Sequence, residues 1–419
     1  MVPSGVMPTM ASRILRINLT TRTATQANLP PDLTREYIGG RGIGARLLAE
    51  AAPAGADPLG PDNKLIFAVG PLAGTAAQSC ARWMALTISP LTGRYGRAVG
   101  GADFGAWLRR NGYDCIITEG KADAPVFLDI DGPRVAIRPA ADLWGKTPWE
   151  TQEALWQRYG RGARIACIGP AAERLVRYAG IISHRRIAAR DGVGTVMGAK
   201  RLKAILLHRG ERVPVHDQEG FTRAVQRQLK DVPEGGARPR ESGCHACSIV
   251  CDRVARCEQQ PAHQLCDEYG LDAISTSEAV ALATNLYEHG ILTKADTGGL
   301  ALTRGDAAAT AELIRMIGER RGPGALLAEG AVHAARRIGP AAEQYLRHDM
   351  ARKKPDTPPV LTALYETGIA CAFPVQNGWL KIGLFGQLLA SVTGIAEFAD
   401  EAYLMKAADR IIRLEQRLN

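Results

Sequence analysis

Two stretches of the chain read alike. Gly101-Ala-Asp-Phe-Gly105 leads through Leu108-Arg109-Arg110 into the strand Asp114-Cys-Ile-Ile-Thr-Glu-Gly120. Gly194-Thr-Val-Met-Gly198 leads through Lys200-Arg-Leu-Lys203 into Ala204-Ile-Leu-Leu-His-Arg-Gly210. Each is a glycine loop, a basic helical turn and an apolar strand, so the first half of the chain carries an internal pseudo-repeat. Glycine permits close approach and adjacent N–H groups favour negative charge, so an anion could rest on each loop. The plainer reading is two tight turns, because glycine turns are common.

Outward from the repeat, Ile14–Asn18, Leu65–Val69, Trp83–Ile88, Val126–Ile130 and Ile165–Ile168 also read as strands. Glycine-rich turns separate them at Gly39-Gly40-Arg41-Gly42-Ile43-Gly44, Gly100-Gly101 and Gly192-Val193-Gly194. From about residue 217 the pattern turns helical. Ser275 with Glu278 reads as a capping box before Ala279–Glu288, and Asp400–Leu418 spaces its apolar residues as a helix does. The expected fold is therefore α+β: a flexible tail at 1–10, a β-rich domain at 11–210 with an internal pseudo-repeat, and an all-helical region at 211–419.

With 419 residues the chain has room for two or three domains. Its 46% hydrophobic and 23% charged content excludes a disordered or fibrous protein. No apolar run approaches the roughly 20 residues that span a bilayer. The first residues lack a basic stretch followed by an apolar core, so a cytoplasmic protein without membrane contact is expected. The net charge of +9 is spread along the chain rather than blocked, and no nucleic-acid motif is present, so no nucleic-acid partner is expected. An anionic cofactor or an acidic protein partner fits that charge.

Nine cysteines in a long chain without a signal segment argue against a disulfide framework. Cys80, Cys115 and Cys167 stand alone and read as small core residues. Cys244, Cys247, Cys251, Cys257 and Cys266 crowd together, and the first three form a C-x2-C-x3-C run. Such a run can wrap one face of a cubane iron–sulfur cluster, with a fourth ligand from Cys257, Cys266 or Cys371. Zinc is the competing metal, although no second C-x2-C pair follows.

Asp267-Glu-Tyr-Gly270-Leu-Asp272 sets two carboxylates around a glycine. They could accept from a flat heterocycle or simply favour a helix N-terminus. Arg82, Arg186 and Arg190 lie beside the glycine turns as candidate phosphate clamps. No zinc-protease, nucleophile-elbow or P-loop pattern occurs.

Taken together, these segments resemble the tungsten-containing aldehyde:ferredoxin oxidoreductase family. The likeness is ordered: Tyr37–Arg46, Leu65–Leu72 with Gly74, Ser89–Gly93, Gly112–Asp114, Ile168–Ala171, Val196–Lys200, the cysteine run, Asp267-x-x-Gly270-x-Asp272, and Asp409–Asn419. The resemblance implies a β-rich pterin-binding base for one or two pyranopterins carrying tungsten or molybdenum, with magnesium bridging their phosphates. A shortened helical region would cover that base. It implies a [4Fe-4S] cluster on Cys244, Cys247, Cys251 and Cys371. Cofactor contacts would come from Arg82, Gly100, Gly101, Arg186, Arg190, Gly192, Gly194, Asp267, Gly270, Asp272 and Gly368. The implied activity is oxidation of an aldehyde to a carboxylate, with electrons passing to ferredoxin or a ferredoxin-like subunit. A full-length family subunit or a second copy of the chain is a further implied partner.

The chain also departs from the family. Only a short segment separates Cys251 from Cys266, and no Gly-Gly-Cys-His-like run precedes Leu361; the histidine there is His348. Tyr365 stands where the second pterin motif has Asp, with Cys371 three residues after Gly368, and Asp191 stands where Gly is usual. These changes fall on the substrate pocket and the second pterin. No catalytic residue can be assigned from them; His348 and Glu366 are the nearest acid–base candidates by segment. The alternative expectation is a non-catalytic paralog that serves as an electron-relay or structural subunit.

Overall fold

The protein is represented by a computed structural model that describes residues 12–53, 55–231, 244–247, 261–346 and 357–419. Its first half holds two six-stranded sheets. The first contains β1 (Arg13–Asn18), β2 (Thr23–Asn28), β3 (Leu65–Ala68), β4 (Trp83–Ile88), β5 (Tyr95–Gly100) and β6 (Tyr113–Glu119). The second contains β7 (Val126–Asp131), β8 (Arg134–Pro139), β9 (Arg164–Cys167), β10 (Ile181–Ser183), β11 (Arg186–Ala188) and β12 (Leu202–Leu207).

The spatial orders are β2-β1-β6-β3-β4-β5 and β8-β7-β12-β9-β10-β11, which is one topology built twice. Each sheet opens with a hairpin and continues through three antiparallel strands. A short helix follows, Phe104–Arg110 or Val193–Ala199. The last strand then enters the middle of the sheet, parallel to the first strand and antiparallel to the third. In both copies a residue in the left-handed region, Gly112 or Arg201, turns the chain from helix to strand. In both the register slips just after the last strand begins, opposite Asp114 and Lys203. A slip of this kind re-aims one side chain. Here the two residues concerned are buried charges, and each has an ion-pair partner: Arg109 for Asp114 (3.4 Å) and Glu173 for Lys203. The faint sequence repeat is thus a duplicated supersecondary unit.

The apolar runs expected as strands are strands, and the sheets hold five more. β2 is an exposed polar edge, β8 is a half-exposed one, and β10 and β11 have three residues each. β5 reads as a glycine loop but pairs along its length with β4. Its Gly100 makes room for the Trp83 indole, which lies 2.1 Å from where a Cβ would sit. The stretch from Gly39 to Gly44 is not a turn: a helix begins at Gly40 and runs to Ala51. Gly42 and Gly44 let that helix press against Ile411 and Leu86.

The second half is helical. Glu401–Arg417 forms where the periodicity places it. The helix expected from Ala279 starts instead at Ala273, capped by Asp272, whose Oδ1 accepts from Ile274 N at 3.2 Å. Ser275 is not the cap; its hydroxyl donates to Asp272 Oδ2 at 2.8 Å. One apolar core joins the inner faces of both sheets to the helices of 261–346. A second packs the helices Gln218–Asp231, Pro359–Thr367, Ile382–Thr393 and Glu401–Arg417 onto Leu72, Ala77 and Cys80. Among the described residues, no helix is long and apolar enough to cross a membrane.

Candidate functional site

A cavity of about 1100 Å³ lies between the sheets and the helical half. It gathers residues that are far apart in sequence: Arg82, Arg97 and Gly101 near β4 and β5, Arg185, Arg186 and Arg190 around β11, Asp267 and Asp272, and Cys244, Cys247 and Cys371. Cys251 and Cys257 lie outside the described residues, as does His348.

Ser79, a residue in the left-handed region, ties the Cys244–Cys247 loop to Cys371. Ser79 N donates to Ala246 O at 3.0 Å, Cys371 N donates to Ser79 O at 2.9 Å, and Ser79 Oγ lies 3.2 Å from Cys247 Sγ. Burial pushes the Cys244 thiol up, against the opposing pull of Arg186 and a hydrogen bond from Ala102 N. Cys80, expected as a core residue, is buried as expected but sits close enough to Cys371 and Cys247 for their charges to add to the effect of burial in raising its thiol. Cys266 faces elsewhere. It lines a smaller pocket of about 310 Å³, and burial pushes its thiol up to about 12 despite a hydrogen bond with Thr276. Of the two candidate fourth ligands within the described residues, only Cys371 shares a cavity with Cys244 and Cys247.

The polar wall opposite is partly self-satisfied. Asp272 is buried and caps the helix Ala273–Glu288, and its Oδ2 also faces Arg190 Nη1 at 3.5 Å. Burial raises its carboxyl, opposed by Arg190 and Ser275. Arg97 pairs with Glu366 at 2.6 Å, and Glu366 also accepts from Arg41 at 2.9 Å. Behind them Glu415 accepts from Arg41 Nε and from the Tyr95 hydroxyl, each at 2.8 Å. Burial opposes the charge on Arg41, but its hydrogen bond to Glu415 and the charges of Glu415 and Glu366 outweigh it and raise the guanidinium. Burial likewise opposes ionisation of Glu415, yet Arg41, Arg97 and Tyr95 hold its carboxyl below the usual range. Asp191, which stands at the usual glycine position, has φ +57° and accepts from Arg97 N at 3.0 Å. It ties the Arg190 loop to β5 and leaves its charge engaged.

The glycines divide into two groups. Gly101 lines the cavity, with Arg186 3.3 Å from where its Cβ would be. The others face protein. A Cβ would meet Trp83 at Gly100, Arg177 O at Gly192, Gly180 O at Gly194 and the Phe385 ring at Gly368, all at 2.1–2.2 Å. Gly270 has φ +74° and abuts Gly169 N at 3.0 Å.

Arg97, Arg185 and Glu366 complete the charged wall without having been singled out as cofactor contacts. Strand alternation holds the signal for Arg97, because it and Val99 fall on the same face as Gly101. Among the described residues, no three His, Cys, Asp or Glu side chains are gathered closely enough to hold a metal ion. What fits the implied groups is the lining of one large cavity by three thiols on one side and arginines on the other, with room for a fused heterocycle and a phosphate.

The family model for the aldehyde ferredoxin oxidoreductase N-terminal domain matches residues 14–209, and that for domains 2 and 3 matches 260–360. The tungsten-containing aldehyde ferredoxin oxidoreductase of Pyrococcus abyssi is 34% identical over 406 residues, covering 78% of this chain and 67% of its own length. The aliphatic sulfonate oxidoreductase WOR-like subunit of Pyrococcus furiosus is 25% identical, covering 97% of this chain and 85% of itself. That alignment runs over 539 positions against 419 residues here, so the relative carries segments this chain lacks. The active-site complex BamBC of benzoyl coenzyme A reductase, solved with 1,5-dienoyl-CoA, shares the fold. Its TM-score is 0.86 at 23% identity, over 98% of this chain and 89% of that one. The duplicated sheets, the shared cavity and these matches lead to one conclusion: the chain belongs to the aldehyde ferredoxin oxidoreductase family.

Proposed function

We propose that the chain oxidises an aldehyde to a carboxylate at a tungsto- or molybdopterin, with electrons leaving through a [4Fe-4S] cluster to a ferredoxin or ferredoxin-like subunit. The balance is aldehyde plus water giving carboxylic acid, two protons and two electrons. The observation that carries this reading is the convergence of Cys244, Cys247 and Cys371 with Arg82 and Arg186 in one cavity. When bound, the metal–pterin supplies oxygen transfer and the cluster supplies one-electron exit. The chain's own part is to bind and orient. Arg82, Arg185 and Arg186 present donors to phosphate, and Asp267 and Asp272 present acceptors to a pterin ring. The β-rich residues 11–210 act as the base and 211–419 as the cover.

A second reading is an electron-relay or structural subunit. It is favoured by the engagement of Glu366 with both Arg41 and Arg97, which makes that carboxylate an anchor rather than a proton acceptor. Metal and pterin analysis of protein purified without oxygen separates the two. About four iron per chain with tungsten or molybdenum and pterin supports the enzyme, and iron alone supports the relay. Cys371→Ser is expected to lower iron content and the visible absorption of the cluster. Full iron in that variant would remove Cys371 from the ligand set, and a chain with neither iron nor pterin would sink both readings.

A further inference from the structure

The segment that leaves β12 crosses the end of the helix Phe104–Arg110. Glu211 N donates to Arg110 O at 3.1 Å, and Asn111 Nδ2 donates to His208 O at 2.9 Å. This brings Arg209 and Arg212, both exposed, beside Arg110. Burial first, and then the nearby charges of Arg209 and Arg212, pull the Arg110 guanidinium below its ordinary value. Arg110 stacks on Trp107 at 4.9 Å and lies 3.4 Å from His245 Nε2. Arg164 stacks on the same indole at 4.5 Å.

Two acids lie close by. Asp103 is paired with Arg164 at 3.2 Å, and Glu211 sits between the two exposed arginines in sequence. Among the described residues neither Arg209 nor Arg212 makes an ion pair. The three arginines therefore border the Cys244–Cys247 loop, with the half-buried His245 between them, on a chain whose net charge is +9.

We propose that Arg110, Arg209 and Arg212, with His245, form the docking surface for a small acidic iron–sulfur electron carrier. The inference rests on the reading that Cys244 and Cys247 hold a cluster. An electron leaving that cluster has its outer loop as a short way to the surface, and the charge there is complementary to an acidic partner. A basic patch steers such a partner and gains specificity more than raw affinity, so its mark is salt dependence.

The test is direct binding of a small acidic [4Fe-4S] ferredoxin to the full chain, purified without oxygen, at low and at high salt. The double variant Arg209→Glu/Arg212→Glu should weaken binding at low salt by about tenfold or more and flatten the salt dependence. Arg336→Glu/Arg337→Glu, with the same change in net charge on the helix Ala331–Ile338, should stay within about twofold of the unaltered chain. Equal losses in the two variants, no loss in the first, or no binding by the unaltered chain would overturn the proposal. So would tighter binding of a DNA oligonucleotide or of phosphatidylserine vesicles that the first variant abolishes. Iron content of the same sample distinguishes the two layers: binding with the expected pattern by a chain without iron keeps the surface and removes the cluster. If the glutamates disturb folding, Arg209→Gln/Arg212→Gln should give a smaller loss of the same sign.

Discussion

The two sheets are one topology built twice, yet they are fastened to the helical half by different chemistry. Beside the backbone bond from Cys371 N to Ser79 O, the first is held through charge: Arg41 and Arg97 reach Glu366 and Glu415, with the Tyr95 hydroxyl on Glu415. The second is held through backbone. Gly180 N donates to Gly270 O at 2.8 Å, Asp272 N donates to Tyr178 O at 3.0 Å, and Ala179 pairs with Leu271 as an antiparallel bridge. Backbone contact demands glycines and tolerates no added side chain. A charge network tolerates some change of shape but not the loss of a partner.

The largest test removes a partner. Arg41→Met leaves two buried carboxylates short of a cation and should cost about 3–5 kcal/mol in denaturant unfolding. A loss below about 1 kcal/mol would mean that the first sheet is held mainly by its apolar core. The same network predicts a pH effect. The folded-state pKa of Glu415 lies below its unfolded value, so its contribution is fully present above roughly pH 4.3 and is lost as pH falls through the folded value. Acid unfolding should therefore be steeper in the unaltered chain than in Glu415→Gln, and coincident curves would contradict the assigned sign.

Next in size is the second sheet's close approach. Gly194→Ala sets a Cβ 2.1 Å from the Gly180 carbonyl oxygen, which is backbone and cannot swing aside. It should destabilise the chain by about 1–3 kcal/mol. An unchanged midpoint would show that the helix Val193–Ala199 can shift. The smallest effect belongs to the second sheet's own ion pair, Arg177 with Glu329 at 3.0 Å, which is partly exposed on both sides. Arg177→Met should cost less than about 1 kcal/mol, and a cost equal to that of Arg41→Met would erase the contrast between the sheets.

Much of the fold was legible because the inner strands are continuous apolar runs, as sheets covered on both faces require. Leu65–Ala68 and Leu202–Leu207 are buried throughout. Two of the strands that are not legible lack that cause, and β10 is too short, at three residues, to stand out as a run. β2 is an exposed polar edge, and β5 contains the glycines that receive Trp83 and Asp191. The helix beginning at Gly40 reads as a turn in the sequence because its glycines look like local punctuation. They are packing positions whose partners, Leu86 and Ile411, lie far along the chain.

The candidate site divides in the same way. Local spacing marked Cys244 and Cys247 as ligands and marked Asp272 as an acceptor or a helix-end acid; in the structure it is a cap. Alternation along β5 carried a readable signal for Arg97. No local pattern could bring Ser79 between Ala246 and Cys371, or set Glu366 between Arg41 of the helix Gly40–Ala51 and Arg97 of β5.

By itself, then, the sequence determined the alternation of apolar strand and glycine turn, its repetition, the later change to helical period, and the grouping of thiols within a few residues. Each of these depends on neighbours within one or two turns of chain. Only the tertiary structure decided which thiol joins Cys244 and Cys247 across the cavity, which glycines face backbone rather than the cavity, and which arginines are already neutralised. Those outcomes depend on the packing of segments hundreds of residues apart, where burial and charge pairing are set by the whole fold.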